Sequence, residues 1–323
     1  MKGDNKAAFF RFMNERHRIY LHYKARDPWP WTDDTILQTY KFTNVYRDLD
    51  AVSLDVRKQI LDYYRPWKKT YAERLVRDVI VYRLFNWPAT WQRLHPLLDN
   101  WDEQRAVRRL MKAQERGEKI FTGAYVCGNN GLTRSKIDLY CEAVSEALPR
   151  VGRIVRAIRA DRRIENATRV IEENVPLAGM FVAYEMASDL RWSPLLCKAS
   201  DIMTWANPGP GAMRGLKRAL ADDPYRYKVG DDTVTYTRPM TGEAVQEMQK
   251  LLRESQDPGV LGKHMRPLEM RDIEHSLCEF DKYMRVKNGE GRPRSKYKPP
   301  AWALRPARHR SGGGASHTYS VAP

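Results

Sequence analysis

Cysteine is scarce and scattered: Cys127, Cys141, Cys197 and Cys278 are the four in 323 residues. Their wide spacing matches neither a zinc nor an iron–sulfur pattern, and a disulfide framework is not expected in a cytosolic chain of this size. Isolated buried or neutral thiols are the expectation. The seven histidines form no metal-binding pair at helical spacing. No G-x-x-x-x-G-K-[ST] phosphate loop occurs, which removes one common nucleotide-binding signature. No apolar run approaches the roughly 20 residues that span a bilayer. The opening Met1-Lys2-Gly3-Asp4-Asn5-Lys6 lacks the apolar core of a signal peptide, so a cytoplasmic location without membrane attachment is expected.

Positive charge, by contrast, is in excess. Fifty-six Lys and Arg stand against 40 Asp and Glu, a net +16, with a pI near 9.7. A polyanionic partner explains this simply, because basic side chains release counterions from nucleic acid. Half of the excess lies late: residues 285–310 hold nine Lys/Arg and one acid, Glu290. A solubility tail has the same composition, so charge alone leaves nucleic-acid binding and solubility both open. Hydrophobic residues at 42% and charged residues at 30% fit a globular chain long enough to bury a sizeable core.

The pattern is mostly helical. Residues 9–23 place Phe9, Phe12, Met13, Ile19 and Tyr20 near helical spacing. Asp27-Pro28-Trp29-Pro30-Trp31 is a loop, since two prolines forbid a helix interior. A second helix is expected over 34–49, capped by Thr32 or Asp33. Further helices are expected near 54–65, 69–86, 88–97, 100–116, 133–148, 150–158 and 161–173. Pro176 opens another, carrying Phe181, Tyr184, Glu185 and Asp189. Asn207-Pro208-Gly209-Pro210-Gly211 is a tight loop before a helix with Arg214, Lys217 and Arg218. Residues 225–237, alternating around Gly230-Asp231-Asp232, are the hairpin candidate. Helices near 241–254 and 268–285 complete residues 1–285, read as one helical catalytic domain or two lobes meeting at a DNA cleft. Residues 286–323, rich in Arg, Lys, Pro, Gly and Ser, are expected to be a disordered tail.

Three blocks carry a resemblance: Phe-Met-Asn-Glu-Arg-His-Arg-Ile-Tyr (12–20), Pro-Trp-Thr-Asp-Asp-Thr-Ile-Leu-Gln (30–38) and Tyr-Lys-Phe-Thr-Asn-Val-Tyr-Arg-Asp-Leu-Asp (40–50). It continues through 123–136, Asp189-Leu190-Arg191 and Glu279-Phe280-Asp281-Lys282-Tyr283. The chain resembles the alpha-glutamyl/putrescinyl thymine pyrophosphorylases, phage amino acid:DNA transferases, a family related to the helical domain of hydroxymethyluracil DNA kinases. The resemblance implies phage DNA in an infected bacterial cell. There a kinase, a possible partner, pyrophosphorylates 5-hydroxymethyluracil, and the transferase replaces pyrophosphate with an amine or amino acid. The missing phosphate loop favours the transferase over the kinase. The family's relation to helix-hairpin-helix DNA glycosylases implies a mostly α, glycosylase-like architecture with a small β-hairpin. Val175-Pro176-Leu177-Ala178-Gly179 then stands where the phosphate-holding hairpin falls, with Leu177 in place of its first glycine. Asp201 stands at the interval of the catalytic aspartate.

That chemistry needs a reachable base, cations for the departing phosphates and loss of a proton from the amine. Trp29, Trp31, Tyr40, Phe42, Tyr46 and Trp205 are candidates for a stacking wall, with core packing as the competing role. Arg16, Lys41 and Arg47 are the candidate cations. On a 34–49 helix, Lys41, Asn44 and Asp48 share a face, and Gln38 lies three residues before Lys41. Catalysis is assigned to Asp201, Lys41, Asn44 and Arg47, with a helix cap as the rival role of Asp201. Arg16, Asp34, Gln38, Tyr46 and Trp205 are assigned to substrate, and Arg134, Lys136, Gly179, Arg214 and Lys217 to DNA. Asp189 and Arg191 read as a structural ion pair, with substrate ligation as the rival role. No cofactor is assigned beyond the amine co-substrate; a divalent metal is compatible with phosphate departure. A DNA glycosylase, or a non-catalytic DNA-binding subunit, fits the same composition. The first leaves abasic sites and the second leaves no product, whereas the transferase releases pyrophosphate and leaves a heavier nucleoside.

Overall fold

The computed structural model describes residues 5–62, 70–123, 134–220, 238–291, 293 and 295–304. Among them the chain forms α1 (Asn5–Ala25), α2 (Thr35–Thr39), α3 (Ala51–Val56), α4 (Tyr71–Phe85), α5 (Pro88–Leu94), α6 (Glu103–Glu115) and α7 (Lys136–Ala147). It continues with α8 (Val151–Ala160), α9 (Ile164–Asn174), α10 (Met180–Leu190), α11 (Pro210–Leu220), α12 (Arg238–Glu254) and α13 (Met270–Lys287). The fold is mostly α, and no described helix is long and apolar enough to cross a membrane. The chain divides into two compact units, one from Met1–Arg47 and Pro208–Pro323, the other Asp48–Asn207.

The first unit is organised by α13, against which α1, α11 and α12 pack. Phe9, Phe12 and Phe42 join Phe280 and Tyr283 in its aromatic core. The approach of α11 to α13 depends on glycine. A Cβ on Gly215 would stand 1.9 Å from the Leu277 carbonyl oxygen, and one on Gly211 would stand 2.4 Å from Cys278 Sγ. α13 begins with a reciprocal capping box of Glu269 and Asp272, which satisfies two of the orphan amides of its first turn.

In the second unit α4 is largely buried, every residue from Asp78 to Phe85 included. Of its two buried charged residues, Asp78 is held by Arg77 at 2.7 Å, and Arg83 donates to both oxygens of Asp189, at 2.5 and 2.7 Å. Glu185, one turn earlier on α10, lies 3.2 Å from the same guanidinium. The expected Asp189–Arg191 pair is thus replaced by a long-range one; removing one partner of such a buried pair costs about 3–5 kcal/mol. Helix ends follow local chemistry: Asn86 closes α4 at φ 48°, Pro88 opens α5, and Asp102 and Ser135 cap α6 and α7.

Several expected elements fall differently. The 34–49 helix stops after α2, whose cap is Asp34 rather than Thr32 or Asp33; Asp34 accepts from the amides of Ile36 and Leu37. Tyr40 is extended and pairs antiparallel with Lys296. Thr39, Tyr40, Phe42 and Thr43 suit extended backbone better than a helix interior, and residues 295–297 supply the hydrogen bonds, with Lys41 N donating to Ser295 O and Tyr297 N to Thr39 O. That isolated bridge is the local β structure here. The proposed hairpin at 225–237 and Cys127 lie outside the described residues. After 286, α13 runs on to Lys287, and residues 295–304 lie along 29–41. Pro176 belongs to the turn between α9 and α10, where Leu177 takes the left-handed conformation at φ 63°.

Candidate functional site

The sequence blocks 12–20 and 40–50 come together in the first unit. Arg16, on α1, donates through Nη2 to the Phe42 carbonyl at 3.2 Å and to Asn44 Oδ1 at 2.9 Å. The next residue, His17, is 5% exposed. Its ring stacks on His264 at 5.8 Å and meets Tyr46 edge-on at 4.9 Å. The Arg266 guanidinium lies over the Tyr46 ring at 4.1 Å, and the Tyr46 hydroxyl donates to the Arg266 carbonyl at 2.6 Å. Asn14 fixes this loop to α1: its Oδ1 accepts from Gly262 N at 2.6 Å, and its Nδ2 donates to Val260 O.

Two arginines and two histidines thus share one small volume. Burial, then the charges of His264, Arg266 and Arg16, lower the His17 pKa to about 4. The imidazole therefore stays neutral down to about pH 4, because its surroundings are dry and positive. A negative group placed there would meet the opposite field.

The 41–46 segment is held from its other side by α13. Glu279 Oε2 accepts from Thr43 N at 2.9 Å and from Lys282 Nζ at 2.6 Å, and Lys282 also donates to the Lys41 carbonyl. His275 Nε2 lies 2.5 Å from Thr43 Oγ1. Tyr283 donates to Asp34 Oδ2 at 2.6 Å, so Asp34 both caps α2 and anchors α13. These α13 residues are spaced at i, i+4, i+7 and i+8, one helix face.

Of the residues expected from sequence, the structure brings Arg16, Asn44 and Tyr46 together around His17. Gln38 donates to the Thr32 carbonyl and fixes the loop before α2. Lys41 is exposed, and Arg47 begins a 3-10 turn, Arg47–Leu49. Without the 34–49 helix, Lys41, Asn44 and Asp48 share no helical face. Arg214 donates to buried Asp281, which also holds Arg218; Lys217 stands half-exposed on the same helix.

The remaining candidates are in the second unit. Asp201 is buried, and its two oxygens accept from the amides of Ile164 at 2.7 Å and Glu165 at 2.9 Å. It is a cap, of α9 rather than of a helix starting at its own position. Trp205 packs edge-on against Tyr184. Arg134 pairs with Glu142, and Lys136 lies over the Phe121 ring. Gly179 is the residue before α10, with open space where a Cβ would stand. Burial pushes the Cys141 and Cys278 thiols up to about 12. Among the described residues no group of three or more His, Cys, Asp or Glu side chains could hold a metal ion.

His17, His264, Arg266 and His275 were missed. His17 lies inside a recognised block beside Arg16, so its neighbourhood was signalled. Nothing local marks His264 and Arg266, which reach the site from about 250 residues away along the chain.

The family model described as "5-hmdU DNA kinase, helical domain" matches residues 5–292. A 5-hmdU DNA kinase of Bacillus phage SP10 is 27% identical over 282 residues, covering 79% of this chain and 40% of that protein. The chain thus spans about two fifths of the length of that relative. No solved structure matches. The chain belongs to the family of the helical domain of 5-hmdU DNA kinases.

Proposed function

We propose that this chain acts in phage thymine modification, holding a phosphorylated 5-hydroxymethyluracil of DNA and replacing its pyrophosphate with an amine or amino acid. One observation carries the reading: Arg16 beside His17 on α1 and Arg266 over the Tyr46 ring bring two fixed positive charges to the small volume around buried His17. Such a cluster suits a multiply charged phosphate leaving group. In the reaction the amine nitrogen bonds to the base methylene, the carbon–oxygen bond to pyrophosphate breaks, and the nitrogen gives up a proton. Fixed cations at the departing oxygens help most in the transition state. His275, beside Thr43 on the adjoining α13 face, is assigned the proton in this reading. Asp201 keeps its structural place, since both oxygens already accept backbone amides. The chain has no phosphate loop, which favours transfer over phosphorylation.

A second reading follows from the match to a part of a kinase. As a helical module beside a catalytic one, the chain would recognise the modified base without transforming it. The test is incubation of the protein with DNA containing 5-pyrophosphoryloxymethyluracil and an amine pool. Transfer predicts free pyrophosphate and an intact, heavier nucleoside by mass spectrometry. Binding without either product leaves the recognition module, and abasic sites would mean glycosylase action.

A further inference from the structure

At the far end of α1 the first unit presents a second feature that the anion cluster does not use. Tyr23, Trp29, Trp31, Tyr297 and Trp302 form a connected aromatic group. Trp29 stacks on Tyr297 at 5.5 Å and meets Trp31 edge-on at 5.1 Å. Trp302 lies 5.8 Å from both Trp31 and Tyr23. The group is assembled by backbone: Trp29 N donates to the Ala303 carbonyl, and the Tyr40–Lys296 bridge anchors the returning strand of chain.

Trp31 is buried and acts as the floor. Tyr23 is 46% exposed, and Trp29, Tyr297 and Trp302 keep part of their surfaces in solvent. An aromatic group built only for stability would place its rings inward, as the Phe9–Phe280 core of the same unit does.

The cations around it point the same way. Lys24, Arg26, Lys296 and Lys298 are all exposed. The acids of these segments are Asp27, Asp33 and Asp34; Asp27 lies 2.7 Å from His22, and Asp34 accepts from Tyr283 at 2.6 Å. Arg26, closing α1 in the left-handed conformation at φ 58°, sets its guanidinium 5.9 Å from the Trp302 ring. A non-glycine residue in that region is uncommon. Aromatic faces interleaved with mobile cations suit unpaired bases on a phosphodiester strand, since every base has a face to stack and every linkage a charge. A duplex offers no such faces along its side.

We infer that Tyr23, Trp29, Tyr297 and Trp302 form a platform for unpaired nucleobases of single-stranded DNA, whose phosphates lie against Lys24, Arg26, Lys296 and Lys298. The platform adjoins the anion cluster along α1, where Arg16 lies about two turns before Tyr23. This placement rests on the proposed function for its purpose, to hold a strand opened beside the modified base. Its existence does not depend on that chemistry.

The experiment uses the full chain and plain oligothymidylate about 15 nucleotides long, with no modified base. Binding is read by anisotropy and by quenching of tryptophan fluorescence, against a duplex of equal length. Single strand should bind more tightly than duplex and quench the tryptophans. Tyr23→Ala should weaken single-strand binding about tenfold, while Tyr23→Phe, which keeps the ring, stays near wild type. Lys296→Gln should lower the salt dependence of binding by about one counterion. In amine transfer, if that activity is found, Tyr23→Ala should raise KM and leave kcat unchanged. Unchanged affinity in a folded Tyr23→Ala protein, or equal duplex binding without quenching, overturns the platform. Loss of amine transfer alone does not touch it. Should Tyr23→Ala fail to fold, wild-type quenching and the Lys296→Gln salt slope decide.

Discussion

His17 gives the sharpest handle on the cationic cluster, because its neighbours should make folding itself depend on pH. Its folded pKa of about 4 lies below the ordinary 6.5. The unfolded chain therefore binds a proton that the folded chain refuses between those values. Stability from this residue is full above pH 6.5 and is lost as pH falls toward 4. With about 1.4 kcal/mol per pKa unit, the full shift amounts to ~3 kcal/mol, of which about 2 kcal/mol falls between pH 7 and pH 5. Other groups titrate in the same range. Asp272, fully buried and raised to about 7, works in the opposite sense: its contribution is present below the unfolded carboxylate value and fades as pH rises through 7. The comparison must therefore be with His17→Phe, which keeps a ring against His264 and Tyr46. Urea unfolding of both proteins at pH 7 and pH 5 measures the difference. Wild type should lose about 2 kcal/mol more than the variant on acidification. Equal losses would refute the claim that buried positive surroundings hold His17 neutral.

Three further outcomes test the scaffold. Asp201→Ala should remove both amide acceptors at the start of α9 and lower stability by about 1–2 kcal/mol by denaturation, with amine transfer per folded molecule unchanged. A large loss of turnover in stable protein would return Asp201 to catalysis. Gly215→Ala should unfold or severely destabilise the first unit, since its Cβ would stand 1.9 Å from the Leu277 carbonyl oxygen; a near-normal thermal midpoint would contradict the α11–α13 packing. Leu177→Gly should be neutral or stabilising, because a left-handed L residue costs about 1–2 kcal/mol and glycine about none; marked destabilisation would show that the Leu177 side chain outweighs the strain.

The helices were legible where their signals are local. Pro88, Asp102 and Ser135 mark starts, and α4, α9 and α13 follow from apolar spacing. What misled was the 34–49 pattern. Its residues permit a helix, yet Tyr40 and Lys41 take backbone partners from residues near 296, a pairing that no local window contains. The same distance hid the cap of α9, supplied by a carboxylate 36 to 37 residues later. In the cationic cluster Arg16, Asn44 and Tyr46 were legible through their sequence blocks. His264 and Arg266 were not, because a loop so far along the chain joins α1 only through tertiary contacts such as Asn14 to Gly262. Composition pointed to a nucleic-acid partner but placed half the excess charge in a tail; residues 295–304 instead lie along the 29–41 segment.

The central claim is that Arg16 and Arg266 face the pyrophosphate of a modified base as it departs. Single-turnover release of pyrophosphate from DNA carrying 5-pyrophosphoryloxymethyluracil, followed for wild type, Arg16→Gln and Arg266→Gln, tests it most directly. The account predicts release about 10²-fold slower in each variant, with binding to unmodified DNA of the same sequence within about twofold of wild type. Release at the wild-type rate, or a loss of rate matched by an equal loss of binding to unmodified DNA, would contradict it.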